Sequence, residues 1–239
     1  MGEVVLSLLP LVLGVVLSPL AIMALVAVLL SRNARANGVM FLIGWALAVV
    51  VVLGVSFLIF TALAVHDRQA PPLWVAVVRI VLAVVLILGA VFVYRRGKAR
   101  IEKMAVATTP AQVVAAAPQL PGWLHAVESF SPFRSFLLGF GIFLLNPVDA
   151  SCAILASLEL RLADLPVGQT IAVAVVFAVL GVLPIALPVV FTLVRGEAAQ
   201  PLLDRTRTWI AGHTNVLNAA LLLVIAVLQL QKGISALLA

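Results

Sequence analysis

The sequence predicts an all-α membrane protein of six transmembrane helices, arranged as two inverted three-helix repeats with broken first and fourth helices. Three observations predict it. The 239-residue chain is 64% hydrophobic and 10% charged, with a mean hydropathy of +1.27; a soluble domain carries about 25% charged residues. Six apolar segments, 4–30, 39–65, 73–94, 136–160, 170–194 and 216–238, each reach the length of about 20 residues that a bilayer demands. Two of these segments, in corresponding places of the two half-chains, are interrupted by proline, at Ser18-Pro19 and at Asn146-Pro147.

The first segment starts after Glu3, with no Lys or Arg before it. A cleavable signal wants a basic start and a short apolar core, so the expectation is a retained span. Pro19 lacks an N–H and presses on the carbonyl four residues earlier, so a helix here kinks or breaks. Asn33 and Asn37 stand beside Arg32 and Arg35 and read as a cytoplasmic turn before the second span. The third span holds Arg79, the one basic residue clearly inside an apolar run, VAVVRIVLAVV.

A longer connection, 95–135, opens with Arg95, Arg96, Lys98, Arg100 and Lys103 and passes into an Ala/Pro-rich stretch, 105–118, which predicts a mobile linker. Residues 121–136 place Trp123, Val127 and Phe130 at helical spacing. A short helix in the headgroup region and a lead-in turn packed on the bundle both fit. Ser131-Pro132 then supplies a cap and a proline start for the fourth span. The predicted division is a first repeat over 1–98, a cytoplasmic linker over 99–133 and a second repeat over 134–239.

The fourth span, FLLGFGIFLLNPVDASCAILASLEL, is the centre of the sequence. Backbone groups freed at its break survive at membrane depth only if buried in protein or lining a cavity. Asp149 follows at once, and an aspartate at a helix centre costs about 2.5–3.5 kcal/mol to insert. In the fifth span Pro184 and Pro188 read as kinks for packing or gating. In the sixth, Asn215 and Asn218 are candidates for polar lining. The third span closes as LGAVFVYRRG and the sixth as VIAVLQLQKG, a second echo between the halves.

Charge sets the orientation. Eleven Lys and Arg fall on the side of the loops after spans one, three and five, and four (Arg68, Arg79, Arg161, Lys232) on the other. The basic side is expected in the cytoplasm, with both termini outside. Three spans per half then invert the second half relative to the first. The net charge of +6 fits this topology and attraction to anionic headgroups, not nucleic acid.

Two interrupted helices in matching positions point to a transporter site. The candidate substrate-binding residues are Ser18, Pro19, Arg79, Asn146, Pro147 and Asp149. Half-helix amide ends at the breaks can hold an anionic group. Arg79 either pairs with Asp149 or shares its cavity with a polar substrate group, or it snorkels to the outer headgroups while Asp149 caps freed amides; both stay open. The lone Cys152 excludes an intramolecular disulfide or Cys-x-x-Cys pair and reads as a small packing residue. His66, His125 and His213 have no metal-ligand spacing. No metal, cofactor or enzymatic activity is expected, because no His near a Ser in a recognisable elbow, no carboxylate pair and no glycine-rich phosphate loop is in view. Gly139 and Gly141 are compatible with close helix contact and a homodimer.

The strings LSPLAIMALVAVLLSRNARANGVMFLIGWALAV (17–49) and PGWLHAVESFSPFRSFLLGFGIFLLNPVDASCAILAS (121–157) resemble the actinobacterial GAP family, the glycopeptidolipid- and sulfolipid-addressing proteins of the LysE transporter superfamily. The resemblance runs over nearly the whole chain. It implies six spans, movement of an envelope lipid or glycolipid across the cytoplasmic membrane, and partnership with membrane lipids and a larger lipid exporter. Two alternatives accompany it: a LysE-type exporter of a small polar solute such as an amino acid, and a non-transporting accessory of a lipid-export complex. Family members commonly carry Asn-Pro-Lys-Asn at the second break. This chain reads Asn146-Pro147-Val148-Asp149, so a cation is missing and an anion has arrived.

Overall fold

In the computed structural model, residues 2–63, 73–105 and 130–238 are described, and among them the structure is all helical. The elements are α1 (Gly2–Val16), α2 (Pro19–Leu29), α3 (Ala34–Ala62), α4 (Leu73–Ala105), α5 (Pro132–Leu145), α6 (Pro147–Leu162), α7 (Val167–Arg195), a 3-10 turn (Gly196–Ala199) and α8 (Gln200–Leu238).

Three helices are long and apolar enough to cross a membrane: Ala34–Ala62, Leu73–Arg95 and Val167–Arg195. The bent pairs α1/α2 and α5/α6 raise the count to five if each pair is one span, and α8 adds a shorter apolar helix over Leu222–Leu238. Helix α4 runs through residue 98 to Ala105, and α8 begins at Gln200, well before the apolar segment expected from 216. The linker expected over 105–118 and most of the interfacial segment 121–136 lie outside the described residues.

Each helix divides into an inward stripe and an outward apolar face. On α1 the buried residues are Val4, Leu8, Leu11, Val12 and Val15, while Leu6, Leu9 and Leu13 are exposed. On α7 Phe177, Gly181, Ile185, Val189 and Thr192 face inward at steps of four and then three residues, and Val175, Val179, Leu183, Leu187 and Val190 face outward. Exposed apolar surface along α1, α3, α4, α5, α7 and α8 is what a lipid solvent allows and water does not. Helix α6 differs: Asp149, Ser151, Cys152, Ala153, Leu155, Ala156, Ser157, Leu158, Glu159, Leu160 and Leu162 are all buried. A helix covered on all sides is the axis of the bundle.

Glycine sets the closest contact. A Cβ on Gly44 would run into the Phe136 carbonyl, and one on Gly139 into the Phe41 carbonyl, so α3 and α5 touch backbone to backbone. Gly139 is therefore spent inside the bundle, and a Cβ on Gly141 would meet nothing within 4 Å. Trp45 on α3 joins two neighbours: its ring meets Phe143 of α5 edge-on at 5.0 Å, and its indole N–H donates to the Gly181 carbonyl of α7 at 3.1 Å. Gly181 sits in the turn that Pro184 loosens. Pro184 and Pro188 leave α7 continuous. Gly196, at φ 57°, ends it in the left-handed region that favours glycine.

Candidate functional site

Both breaks form where expected, and they meet. At the first, α1 stops at Val16 and Ser18 turns extended (φ −65°, ψ 103°) before Pro19 starts α2. At the second, Asn146 is extended (φ −77°, ψ 110°), ends α5 and caps α6, with Pro147 at its start. The first pair of helices bends by more than 40° and the second by 68°. Proline's fixed φ suits the first position of a helix and forces the preceding residue out of helical geometry, so each break is written in one dipeptide.

Asp149 lies in the first turn of α6, and its Oδ2 accepts from Ser18 Oγ at 2.9 Å and from Asn146 Nδ2 at 2.6 Å. Asn146 Nδ2 also reaches Ser18 Oγ at 3.3 Å, and Asn146 Oδ1 accepts from the Val148 N–H at 3.2 Å. The freed amide is thus capped by Asn146, while Asp149 ties the two breaks together. Asp149 is fully buried, and its Oδ1 has no hydrogen-bond partner among the described residues.

Close packing makes the contact. A Cβ on Gly14 would stand 2.6 Å from Cys152 Sγ and 3.0 Å from Ile225 Cδ1. Gly14 lies one turn before Ser18, and Cys152 one turn after Asp149, so one helix-to-helix approach serves both pairs. Cys152 is a buried packing residue here.

The structure separates Arg79 from this group. Arg79 is buried, and its Nη2 lies 2.8 Å from Glu159 Oε1 while its Nη1 donates to Gln229 Oε1 at 3.3 Å. The expected pairing with Asp149 is not formed, and neither is a snorkel to the headgroups. Glu159 lies ten residues along α6 from Asp149, about 15 Å at the helical rise, and there it wins the guanidinium. The break therefore carries a carboxylate without a cation among the described residues. It does not suit an anionic group, as the sequence suggested, because Asp149 already occupies the N-terminal turn of α6 and the Val148 amide is taken.

Sequence reasoning gave Glu159, Gln229 and Lys232 no place among the site residues, although each interrupts an apolar run (SLELRL, VLQLQKG). Gln229 and Lys232 are spaced to share a helix face, the one signal that pointed to them. Asn37 is also more than a turn residue: it is buried and donates through Nδ2 to Ser31 Oγ at 2.9 Å and to the Phe130 carbonyl at 3.0 Å. For Asn215 and Asn218 no side-chain position is described.

The fold and this contact define a class: a polytopic helical membrane protein whose two proline-broken helices meet through buried polar side chains. A family model described as Sap, sulfolipid-1-addressing protein, matches residues 8–235. The chain belongs to the sulfolipid-1-addressing protein family. No curated protein and no solved structure matches it.

Proposed function

We propose that the chain is a transporter of the cytoplasmic membrane, a carrier and not an enzyme, that moves an envelope lipid or glycolipid across the bilayer by alternating access. The observation that carries this reading is the Ser18–Asp149–Asn146 contact, a polar junction of two discontinuous helices inside an apolar bundle. Transporters built from inverted repeats bind their cargo at such junctions. The family's description supports a lipid as cargo.

The packing supports two inverted halves. Exchanging α1, α2, α3 and α4 with α5, α6, α7 and α8 carries the α3–α5 contact onto α7–α1, α1–α6 onto α5–α2, and α2–α8 onto α6–α4. The same exchange returns α3–α7 and α4–α8 to themselves. In this reading α8 supplies the sixth span, both termini face outward, and the halves rock about the junction. Asp149 Oδ1, an acceptor without a donor among the described residues, takes a headgroup hydroxyl, which a sugar offers in number, while the tails stay against the exposed apolar faces.

One observation favours a second reading. A carboxylate without a cation also suits the ammonium of an amino acid, as in a LysE-type exporter. The test compares surface lipids of a deletion strain with strains carrying the wild-type chain or Asp149→Asn. A lipid absent from the surface in the deletion, restored by wild type and not by an equally abundant Asp149→Asn, supports lipid transport. An unchanged lipid profile with altered amino-acid export selects the second reading. Full rescue by Asp149→Asn would make the protein an accessory of another exporter.

A further inference from the structure

Arg79 of α4 and Lys232 of α8 direct their charges at one atom. Arg79 Nη2 stands 2.8 Å and Lys232 Nζ 3.0 Å from the same oxygen, Oε1 of Glu159 on α6. Three helices thus hold a single anionic oxygen between a guanidinium and an ammonium, the arrangement by which proteins grip oxyanions. Gln229, buried on α8, steadies the other arm of the guanidinium at 3.3 Å.

The charges do not balance. Among the described residues, two cations face one carboxylate in a cluster where Arg79, Glu159 and Gln229 are buried. A surplus positive charge in apolar surroundings is costly unless something answers it. Lys232 keeps 38% of its side chain exposed and spends one donor on Glu159, so its remaining N–H groups are within reach from outside the cluster.

Placement gives access. Arg79 is six residues from the start of α4 and Lys232 six from the end of α8, each roughly 9 Å from the same end of the bundle by the helical rise. The framework is tight: a Cβ on Gly233 would stand 2.8 Å from Ile80 Cγ1 and 3.3 Å from the Ala76 carbonyl. Both cations are therefore fixed by close α4–α8 packing and not by long free side chains.

The geometry points to a second binding site, in which Arg79 and Lys232 receive an anionic oxygen group (phosphate, sulfate or carboxylate) and Glu159 stands in for it while the site is empty. The arriving group first meets the outward donors of Lys232, then takes over or shares the place of Glu159 Oε1, and its charge cancels the surplus. Glu159 is thus a competitor of the ligand. The inference rests on the carrier reading only for why an acidic headgroup would travel past this end; binding is measurable without transport.

The experiment uses the full-length protein in nanodiscs of phosphatidylcholine with graded phosphatidylglycerol, and in detergent with sodium sulfate or sodium chloride at matched ionic strength. The readout is the melting temperature against the concentration of each probe. The expected result is saturable stabilisation by phosphatidylglycerol, weakened about tenfold in apparent affinity by Lys232→Gln and strengthened about tenfold by Glu159→Gln, the scale of one close charge pair between protein and ligand. A sulfate response of the same pattern identifies a free oxyanion as able to enter; a response to the lipid alone identifies a headgroup arriving through the bilayer. If wild type and Lys232→Gln respond alike to both probes, the cluster is an internal ion pair and the inference is wrong. Lys232→Gln decides the matter even if Glu159→Gln does not fold. Loss of transport with this binding pattern intact would sink the carrier reading alone.

Discussion

Ser18 donates a hydrogen bond to Asp149 at 2.9 Å across 131 residues of sequence, and this one bond joins the break of the first span to the break of the fourth. Neither residue is accessible, and the bond is shared with Asn146, so the junction is a three-residue unit and not a chance contact.

Removing a donor from that unit has a modest structural cost. Ser18→Ala is expected to lower stability by about 0.5–2 kcal/mol, the usual worth of a hydrogen bond to a charged group, reduced inside membranes. Asp149→Asn keeps the shape but puts an amide NH2 in place of one carboxyl oxygen, so its melting temperature in detergent is expected to hold while lipid delivery fails. A fully active Asp149→Asn would remove the carboxylate from the mechanism.

Gly14 and Cys152 are expected to couple. Gly14→Ala forces a methyl onto Cys152 Sγ and Ile225 and costs about 1–3 kcal/mol, as overpacking does. Cys152→Ala takes away the sulfur and leaves only its Cβ, 3.9 Å from the new methyl, so the double variant recovers part of the stability. Unfolding measured on all four proteins of the cycle gives the coupling; strictly additive effects would contradict the close approach.

The glycines of α3 and α5 are not equivalent to their neighbour. Gly44→Ala and Gly139→Ala each drive a methyl into a backbone carbonyl, which cannot rotate away, and are expected to abolish folding or cost several kcal/mol. Gly141→Ala fills open space and is expected to be neutral or stabilising by up to about 1 kcal/mol from helix propensity. Expression and melting temperature of the three variants check the order.

Arg79 and Lys232 should also differ. Arg79→Met takes the buried guanidinium away from buried Glu159 and is expected to cost about 3–5 kcal/mol, the penalty for breaking a buried ion pair. Lys232→Met, at a side chain with 38% exposure, is expected to cost less than half of that. Equal destabilisation in a denaturation series would mean that the guanidinium is not the principal partner.

The breaks were legible because proline chemistry is local: Ser18-Pro19 and Asn146-Pro147 dictate their own geometry, whatever packs around them. That the two breaks meet was expected from their matching places in the two half-chains. The partner of Arg79 was not legible, since it depends on how far α4 slides along α6, and a shift of ten residues exchanges Asp149 for Glu159. Pairing Arg79 with Asp149 alone left that choice out, because Glu159 sits at the last turns of its apolar segment, where a charge normally finds water. Gly139 was recognised as a contact residue, but sequence cannot say which helix it contacts; the answer, Phe41 of α3, comes from Gly44 offering the matching gap.

Because their backbones interlock at Gly44 and Gly139, α3 and α5 cannot slide past one another, and a turn of one half on the other has to pivot at that crossing. The arm beyond the elbow at Asn146 is no freer: Ser157 of α6 donates to the Leu53 carbonyl of α3 at 2.7 Å, so α3 holds both sides of the 68° bend. Near the far tip of that arm Glu159 is tied to Arg79 of α4 and Lys232 of α8, so any opening of the bend has to break the Ser157 bond and both charge contacts.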